Sequence, residues 1–315
     1  MSNVKLANFL QLGRAKRTST PFERHGRLAF RAGRLRSADD AAVMLRGVSL
    51  FWSQWAPEFY NHRLVHWLAE DWAVDILRIA VAATSPGYLS DPKGEIGKAK
   101  TIIDAAISTG IYVLLDWHGH DLETEAARTL FRAIASAYGD CPNIMYETWN
   151  EPHSRYSWNE DILPHHLTTL ATIREFAPRA PVIWASQDFA GRPDLVAEAS
   201  ILHANVGCSL HFYAGTHREG LRMRTDEALA KGAAVLATEW GLGESDGSGT
   251  LDKLEAERWL QFLRARRIGY INWSICDKAE TCAALLPGCS ADGGWRRSHL
   301  SVSGSFVRDD LRRVC

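Results

Sequence analysis

The sequence predicts an α/β chain folded as one (β/α)8 TIM barrel, and three observations carry that prediction. Eight short apolar runs rich in β-formers recur along the chain, with longer amphipathic stretches between them. Several of those stretches close on Gly or Pro, as helices do. The apolar runs are hydrophobic nearly throughout instead of alternating, which is the pattern of parallel strands buried on both faces.

In chain order the strand candidates are VMLRGVSL (43 to 50), VDILRIAVAA (74 to 83), IYVLLDWH (111 to 118), IMYETWNE (144 to 151), PVIWAS (181 to 186), VGCSLHFY (206 to 213), AAVLATEW (233 to 240) and IGYINWSI (268 to 275). Helical stretches fill the gaps, among them KAKTIIDAAISTG, EAARTLFRAIASAYG and LEAERWLQFLRARR. His165 and His166 fall at the start of one of them, before LTTLATIREFAP. Upstream, apolar and polar residues alternate around Ala32-Gly33, which suits a hairpin closing the barrel floor. The domain reading is a basic arm over residues 1–21, open to disorder, followed by a single barrel over residues 22–315.

With 315 residues, 46% of them hydrophobic, the chain can bury one large core. A formal charge of −1 gives no global pull toward nucleic acid or a membrane surface. No apolar run reaches the roughly 18 residues of a membrane span. The opening MSNVKLANFLQLGRAKR has no sustained apolar stretch and no small-residue cleavage site, so no leader peptide is visible in it. Six cysteines do not make a disulfide scaffold in a chain this long, although Cys282 and Cys289 fall in one loop and are candidates to pair. Twelve tryptophans are unusual, and beyond core packing their obvious use is as flat faces for sugar rings or bases.

Chemistry in such barrels sits at the C-terminal ends of the strands. Those ends present Arg78, His118, Asn150, Glu151, His211, Tyr213, Glu239 and Trp273. Glu151 and Glu239 are separated by three βα repeats of roughly 29 residues, which assigns them to the fourth and seventh strands, facing across the mouth. Two facing carboxylates suit glycosidic bond cleavage, in which one protonates the leaving oxygen and the other attacks or activates water. Pro152 lacks an N–H and stops further pairing. Strict alternation sends Asn150 and Glu151 to opposite faces, so a bulge or twist is required for both to reach the site. Glu147 shares parity with Glu151 but lies deeper, where a carboxylate must be paired internally.

The segments YETWNEP, VLLDWHGH, SLHFYAGTH, VLATEWG and INWSICDKAETCAALLPG, in that order, resemble glycoside hydrolase family 5, the subfamily of bacterial endo-β-1,4-glucanases (cellulases). The resemblance covers about residues 22 to 311. It implies retaining cleavage of β-1,4-glucosidic bonds in cellulose or related soluble β-glucans, with Glu151 as acid/base and Glu239 as nucleophile. It makes Arg78, His118, Asn150, His211 and Tyr213 hydrogen-bonding partners, Trp273 a sugar platform, and Lys278 and Glu280 lining residues of the cleft. Phe51 stands where some relatives carry histidine, and Trp52 and Trp55 offer stacking faces nearby. A cis peptide at Trp273–Ser274 is expected, and no metal or organic cofactor. A monomer acting on a polysaccharide, at an extracellular or periplasmic address, follows from the same resemblance.

Three other readings compete. His118-x-His120 begins the zinc site of metal-dependent amidohydrolase barrels, but that class carries its pair on the first strand. A Trp-rich barrel without catalysis would bind sugars, yet both carboxylates are intact. Mannan, xylan or mixed-linkage glucan would use the same strand-end chemistry; the DKAE segment favours glucan.

Overall fold

The computed structural model describes residues 19–313. The arm expected over residues 1–21 therefore lies outside the described residues but for its last three positions. Of these, Thr20 caps a short helix, Pro21–His25, and packs against the end of a later helix at Gly110.

A two-stranded antiparallel hairpin follows, β1 (Ala29–Arg31) and β2 (Arg34–Arg36). Ala32 and Gly33 between them both have positive φ, 47° and 71°, the conformation that two-residue hairpin turns favour because it matches strand twist. Eight parallel strands then close a barrel in the order β10-β3-β4-β5-β6-β7-β8-β9. They are β3 (Arg46–Leu50), β4 (Ile76–Ala82), β5 (Tyr112–His118), β6 (Ile144–Glu147), β7 (Val182–Trp184), β8 (Val206–Tyr213), β9 (Val235–Gly241) and β10 (Tyr270–Ile275). All of their residues are buried, which is why the sequence runs are continuously apolar.

The hairpin plugs the floor. Leu28, Phe30 and Leu35 form one apolar cluster with Leu45, Ile76, Tyr112, Leu114, Ile183 and Ile271 from the lower barrel. Phe30 seats its ring where a Cβ on Gly207 would approach to 2.8 Å, so only glycine leaves room there. A larger cluster lies between the strands and the outer helices. Those helices carry the expected stop and start chemistry: Asp91 caps Pro92–Thr109 by accepting from the Gly94 N–H, and Gly110 ends it at φ 73°.

One strand is shorter than its apolar run. β6 ends at Glu147 instead of continuing to Glu151, because the chain turns out of the ladder at Thr148. The Thr148 N–H still bonds Ile183 on β7, but the Asn150 and Glu151 N–H groups bond Trp117 and Gly119 on the β5 side. Two buried histidines hold that departure from behind. His165 donates to the Thr148 carbonyl at 2.9 Å, and His166 accepts from the Thr148 hydroxyl at 2.7 Å. Both lie in the first turn of Leu163–Phe176, and burial holds their pKa values down to about 4 and about 3, so they stay neutral. The sideways step is the twist that brings Asn150 and Glu151 to the same face.

Candidate active site

The C-terminal rim of the barrel converges on Arg78. Its guanidinium is fully buried and spends its donors on four side chains: Nε on Glu147 Oε2 (2.7 Å), Nη1 on Glu239 Oε2 (2.9 Å), and Nη2 on both Asn150 Oδ1 (2.6 Å) and Asp116 Oδ2 (2.9 Å). Such a buried cation is tolerable only because acceptors surround it, and they raise its pKa further despite the opposing effect of burial. Glu147 is indeed the internally paired carboxylate, accepting also from Ser209 and Thr238 at 3.0 and 2.6 Å.

Above this layer the two expected catalytic carboxylates meet. Oxygens of Glu151 and Glu239 and a ring nitrogen of His211 all lie within 4.8 Å of one another. Glu239 Oε1 accepts from the Tyr213 hydroxyl at 2.7 Å. Glu151 contacts two imidazoles, His211 Nδ1 at 2.8 Å from Oε1 and His120 Nε2 at 3.2 Å from Oε2. His118 stands beside them with Nδ1 2.6 Å from Asp116, its ring stacked on Trp273 at 5.0 Å and 8°. The peptide between Trp273 and Ser274 is cis.

A cavity of about 200 Å³ opens over this cluster. Trp52, Trp55, His118, Asn150, Glu151, Tyr213, Glu239, Trp273, Lys278 and Glu280 all line it, while Arg78 and His211 brace it from beneath. Lys278 and Glu280 form an ion pair of 2.7 Å at the rim. Phe51 packs 5.3 Å from Trp273, and Lys278 Nζ lies over its ring at 5.1 Å from the centroid, so that position contributes an apolar wall. Past Trp55 lies an adjoining cavity of about 490 Å³ lined by Phe51, Trp55, Glu58, Asp277 and Lys278.

The charges differ in one respect from expectation. As the acid, Glu151 is expected to hold a proton because of its negative neighbour and its partial burial. Burial does push it up, but hydrogen bonds from His120 and His211 outweigh burial and bring it down to about 2. Burial and the Glu151 charge raise Glu239 instead, against the pull of His211, Arg78 and Tyr213. His211 is buried, which lowers its pKa, yet Glu239, Glu147 and Glu151 lift it to about 10. His118 is driven well below its ordinary value by burial and by the neighbouring cations. In the open cleft the available proton therefore rests on histidine.

Three contributors escape a reading of strand ends alone. Asp116 shares parity with His118 two residues on, and that spacing was the available signal. Thr238 precedes Glu239 and links His211 to Glu147, at 3.0 and 2.6 Å. His120 is the third, noticed only as half of a zinc pair. Among the described residues the set of three metal-capable groups that converge is Glu151, His211 and Glu239, which leaves out both His118 and His120. Cys282 and Cys289 are both free thiols.

Comparison with known proteins agrees with this geometry. The profile described as Cellulase (glycosyl hydrolase family 5) matches residues 37–279. The chain is 37% identical over 300 residues to Endoglucanase N of Pectobacterium atrosepticum, covering 94% of this chain and 67% of that protein. It is 37% identical over 276 residues to Endoglucanase A of Evansella cellulosilytica, covering 86% of this chain and 56% of that one. The chain thus spans between about half and two thirds of these relatives' length. A solved structure from Cytophaga hutchinsonii superposes with a TM-score of 0.92 at 38% identity, covering 93% of this chain and 97% of that chain. The catalytic domain of an endoglucanase from Thermobifida fusca, solved with cellotetraose, gives a TM-score of 0.88 at 29% identity, covering 94% of this chain and 100% of that chain. On the family match over residues 37–279 and these identities, the chain belongs to glycosyl hydrolase family 5, the cellulases.

Proposed function

We propose that the chain hydrolyses internal β-1,4-glucosidic bonds of cellulose or related soluble β-glucans, with retention of anomeric configuration. The observation that carries this reading is the approach of Glu151 and Glu239 oxygens to within 4.8 Å. Retaining enzymes keep their carboxyl groups about 5 to 5.5 Å apart, whereas inverting ones leave about 6.5 Å or more for a water.

Glu239 attacks the anomeric carbon. The bond to the leaving oxygen breaks, that oxygen takes a proton from Glu151, and a glycosyl ester of Glu239 remains. Water then gives a proton to the Glu151 carboxylate while its oxygen attacks the same carbon, which frees Glu239. Arg78 and Tyr213 orient the nucleophile and favour its ionised form against the upward push of burial. Asn150, fixed by Arg78, faces the sugar at the cleavage point, suited to its 2-hydroxyl. Trp273, Trp52 and Trp55 offer stacking faces, and Lys278 and Glu280 polar contacts. When sugar fills the cleft and expels water, the charged His211–Glu151 pair is disfavoured relative to its neutral form. The proton then crosses 2.8 Å to Glu151, which becomes the acid.

The adjoining cavity past Trp55 offers room for further sugar units, and we place the enzyme as a monomer in the extracellular or periplasmic space where a polymeric substrate is met. Among the described residues no helix is long and apolar enough to cross a membrane. The test is Glu239→Ala: turnover of carboxymethyl cellulose is expected to vanish while oligosaccharide binding persists. Activity near wild type rejects the assignment. Barley glucan and galactomannan assayed beside it decide between glucan and the other β-1,4-polysaccharides.

A further inference from the structure

The loop after β3, residues 51–56, carries Phe51, Trp52 and Trp55, and it is gripped from outside the cleft at Ser53, which falls between the two indoles. Ser53 is fully buried. Its N–H bonds the Ala80 carbonyl at 3.2 Å and its hydroxyl oxygen accepts from the Ala82 N–H at 2.8 Å, so β4 holds it on one side. The helix Pro92–Thr109 holds it on the other. Glu95, in the first turn of that helix, accepts from the Ser53 hydroxyl, and Lys98 one turn on donates to the Ser53 carbonyl at 2.8 Å and to Glu95 Oε1 at 2.6 Å.

As a source of stability this grip is poor. Glu95 is 2% exposed, and a carboxylate taken out of water recovers little more than its desolvation from one cation partner. What it fixes is position: an oxygen and an ammonium group from consecutive helix turns meet one serine, which then has its N–H, carbonyl and hydroxyl all engaged. Glu95, Lys98 and Ser53 line neither of the two cavities. Their effect reaches the cleft through the backbone. Beside Ser53 the chain makes a tight turn, in which the Trp55 and Ala56 N–H groups bond the Trp52 carbonyl at 3.0 and 3.1 Å.

Trp52 is braced from elsewhere as well, its ring lying against His118 and His120. Trp55 is 58% exposed and meets the Phe51 and Trp52 rings of its own loop, at 6.4 and 5.2 Å. The direction of its exposed face is therefore set by the backbone that Ser53 anchors. We infer that Glu95, seconded by Lys98, is a positioning residue for sugar binding: it holds the loop so that Trp55 presents its ring ready-placed to a glucose unit in the outer cavity. A ring already fixed loses little further freedom when sugar arrives, and affinity rises accordingly. The inference rests on the glucanase reading above and adds the group that preorganises one of its sugar contacts.

The experiment is a double-mutant cycle. Affinity for cellotetraose is measured by calorimetric titration in Glu239→Ala enzyme, alone and with Glu95→Ala, Trp55→Ala, both, or Glu95→Gln. Glu95→Ala is expected to weaken binding about threefold or more when Trp55 is present and to change it little when Trp55 is already alanine, because Glu95 acts through that ring. Glu95→Gln keeps an oxygen for the Ser53 hydroxyl and is expected to restore most of the affinity. With Glu239 intact, Glu95→Ala should raise KM for cellopentaose by a similar factor and leave kcat within about twofold. Equal loss with and without Trp55, a fall confined to kcat, or no loss at all overturns the inference. Should Glu95→Ala not fold, Lys98→Met, which frees the Ser53 carbonyl and leaves Glu95 on the hydroxyl, takes its place in the cycle and is judged by the same coupling. A wild-type enzyme that cleaves no cello-oligosaccharide overturns the glucanase reading itself, and the inference with it.

Discussion

His211 Nδ1 lies 2.8 Å from Glu151 Oε1, and this contact couples the acid to a buried imidazolium. His211 is raised to about 10 from an ordinary 6.5, since the carboxylates around it outweigh the lowering effect of burial. A base whose folded pKa lies above its unfolded value stabilises the fold fully below the unfolded value and loses that stabilisation as pH rises through the folded one. The stability gap between wild type and His211→Asn is therefore expected to be widest below pH 6.5 and to close toward pH 10. Thermal unfolding across that range checks it, and a gap that does not change with pH rejects the charge on His211. The alkaline limb of kcat/KM should also move to lower pH in the variant, because the proton supply has been removed.

The Tyr213 hydroxyl donates to Glu239 at 2.7 Å and is among the groups that offset the upward push of burial on that carboxyl. Tyr213→Phe removes the donor, so Glu239 holds its proton to higher pH. The acidic limb of kcat/KM is expected to shift upward, with kcat about tenfold lower, the size of one charge-assisted hydrogen bond. Steady-state rates between pH 4 and 8 read both, and an acidic limb left in place rejects the role of the hydroxyl.

Arg78 separates a structural effect from a catalytic one. Arg78→Ala leaves Glu147, Asp116 and Glu239 buried without their shared cation, which should destabilise the fold by about 3–5 kcal/mol in urea unfolding. Arg78→Lys keeps the charge but not the fork that reaches four side chains. It is expected to recover much of the stability while staying deficient in kcat. Recovery of full activity with Lys would mean that charge alone suffices.

The barrel was legible because its strands are buried on both faces, which writes an apolar run for each. The β8 run, 206 to 213, coincides with its strand. β6 does not, since hydrophobicity cannot distinguish a residue in the ladder from one that has stepped sideways: Trp149 is as buried as Tyr146 although only the latter is in the strand. The site was legible where side chains end strands. It was not legible where contacts depend on loops: His120 reaches Glu151 from another loop. Asp116 and Thr238 lie within strands, and only parity with a known neighbour marks them.

The cysteines yield a simple check. Cys282 is buried, with its sulfur accepting from the Gly243 N–H at 3.2 Å, and Cys289 contacts the His299 carbonyl instead of a thiol. The unfolding temperature is therefore expected to be the same with and without a reductant. A drop of several degrees on reduction would mean that a disulfide forms after all.

Trp55 tests how far substrate extends. Its ring is 58% exposed, 5.2 Å from Trp52, and it lines both the catalytic cavity and the larger one beside it. Trp52 lies on His118 near the cleavage point, at 4.2 Å, whereas Trp55 stands on the far side of it. An exposed indole makes few internal contacts to lose, so Trp55→Ala should fold as wild type does, and its effect should fall on ligands long enough to reach the outer cavity. Affinity of the catalytically silent Glu239→Ala background for cellotetraose is expected to drop about fivefold when Trp55 is also replaced, while affinity for cellobiose barely changes. Calorimetric titration with the two sugars measures this directly. Equal weakening of both would confine Trp55 to the first sugar site and leave the outer cavity without a role in binding the polymer.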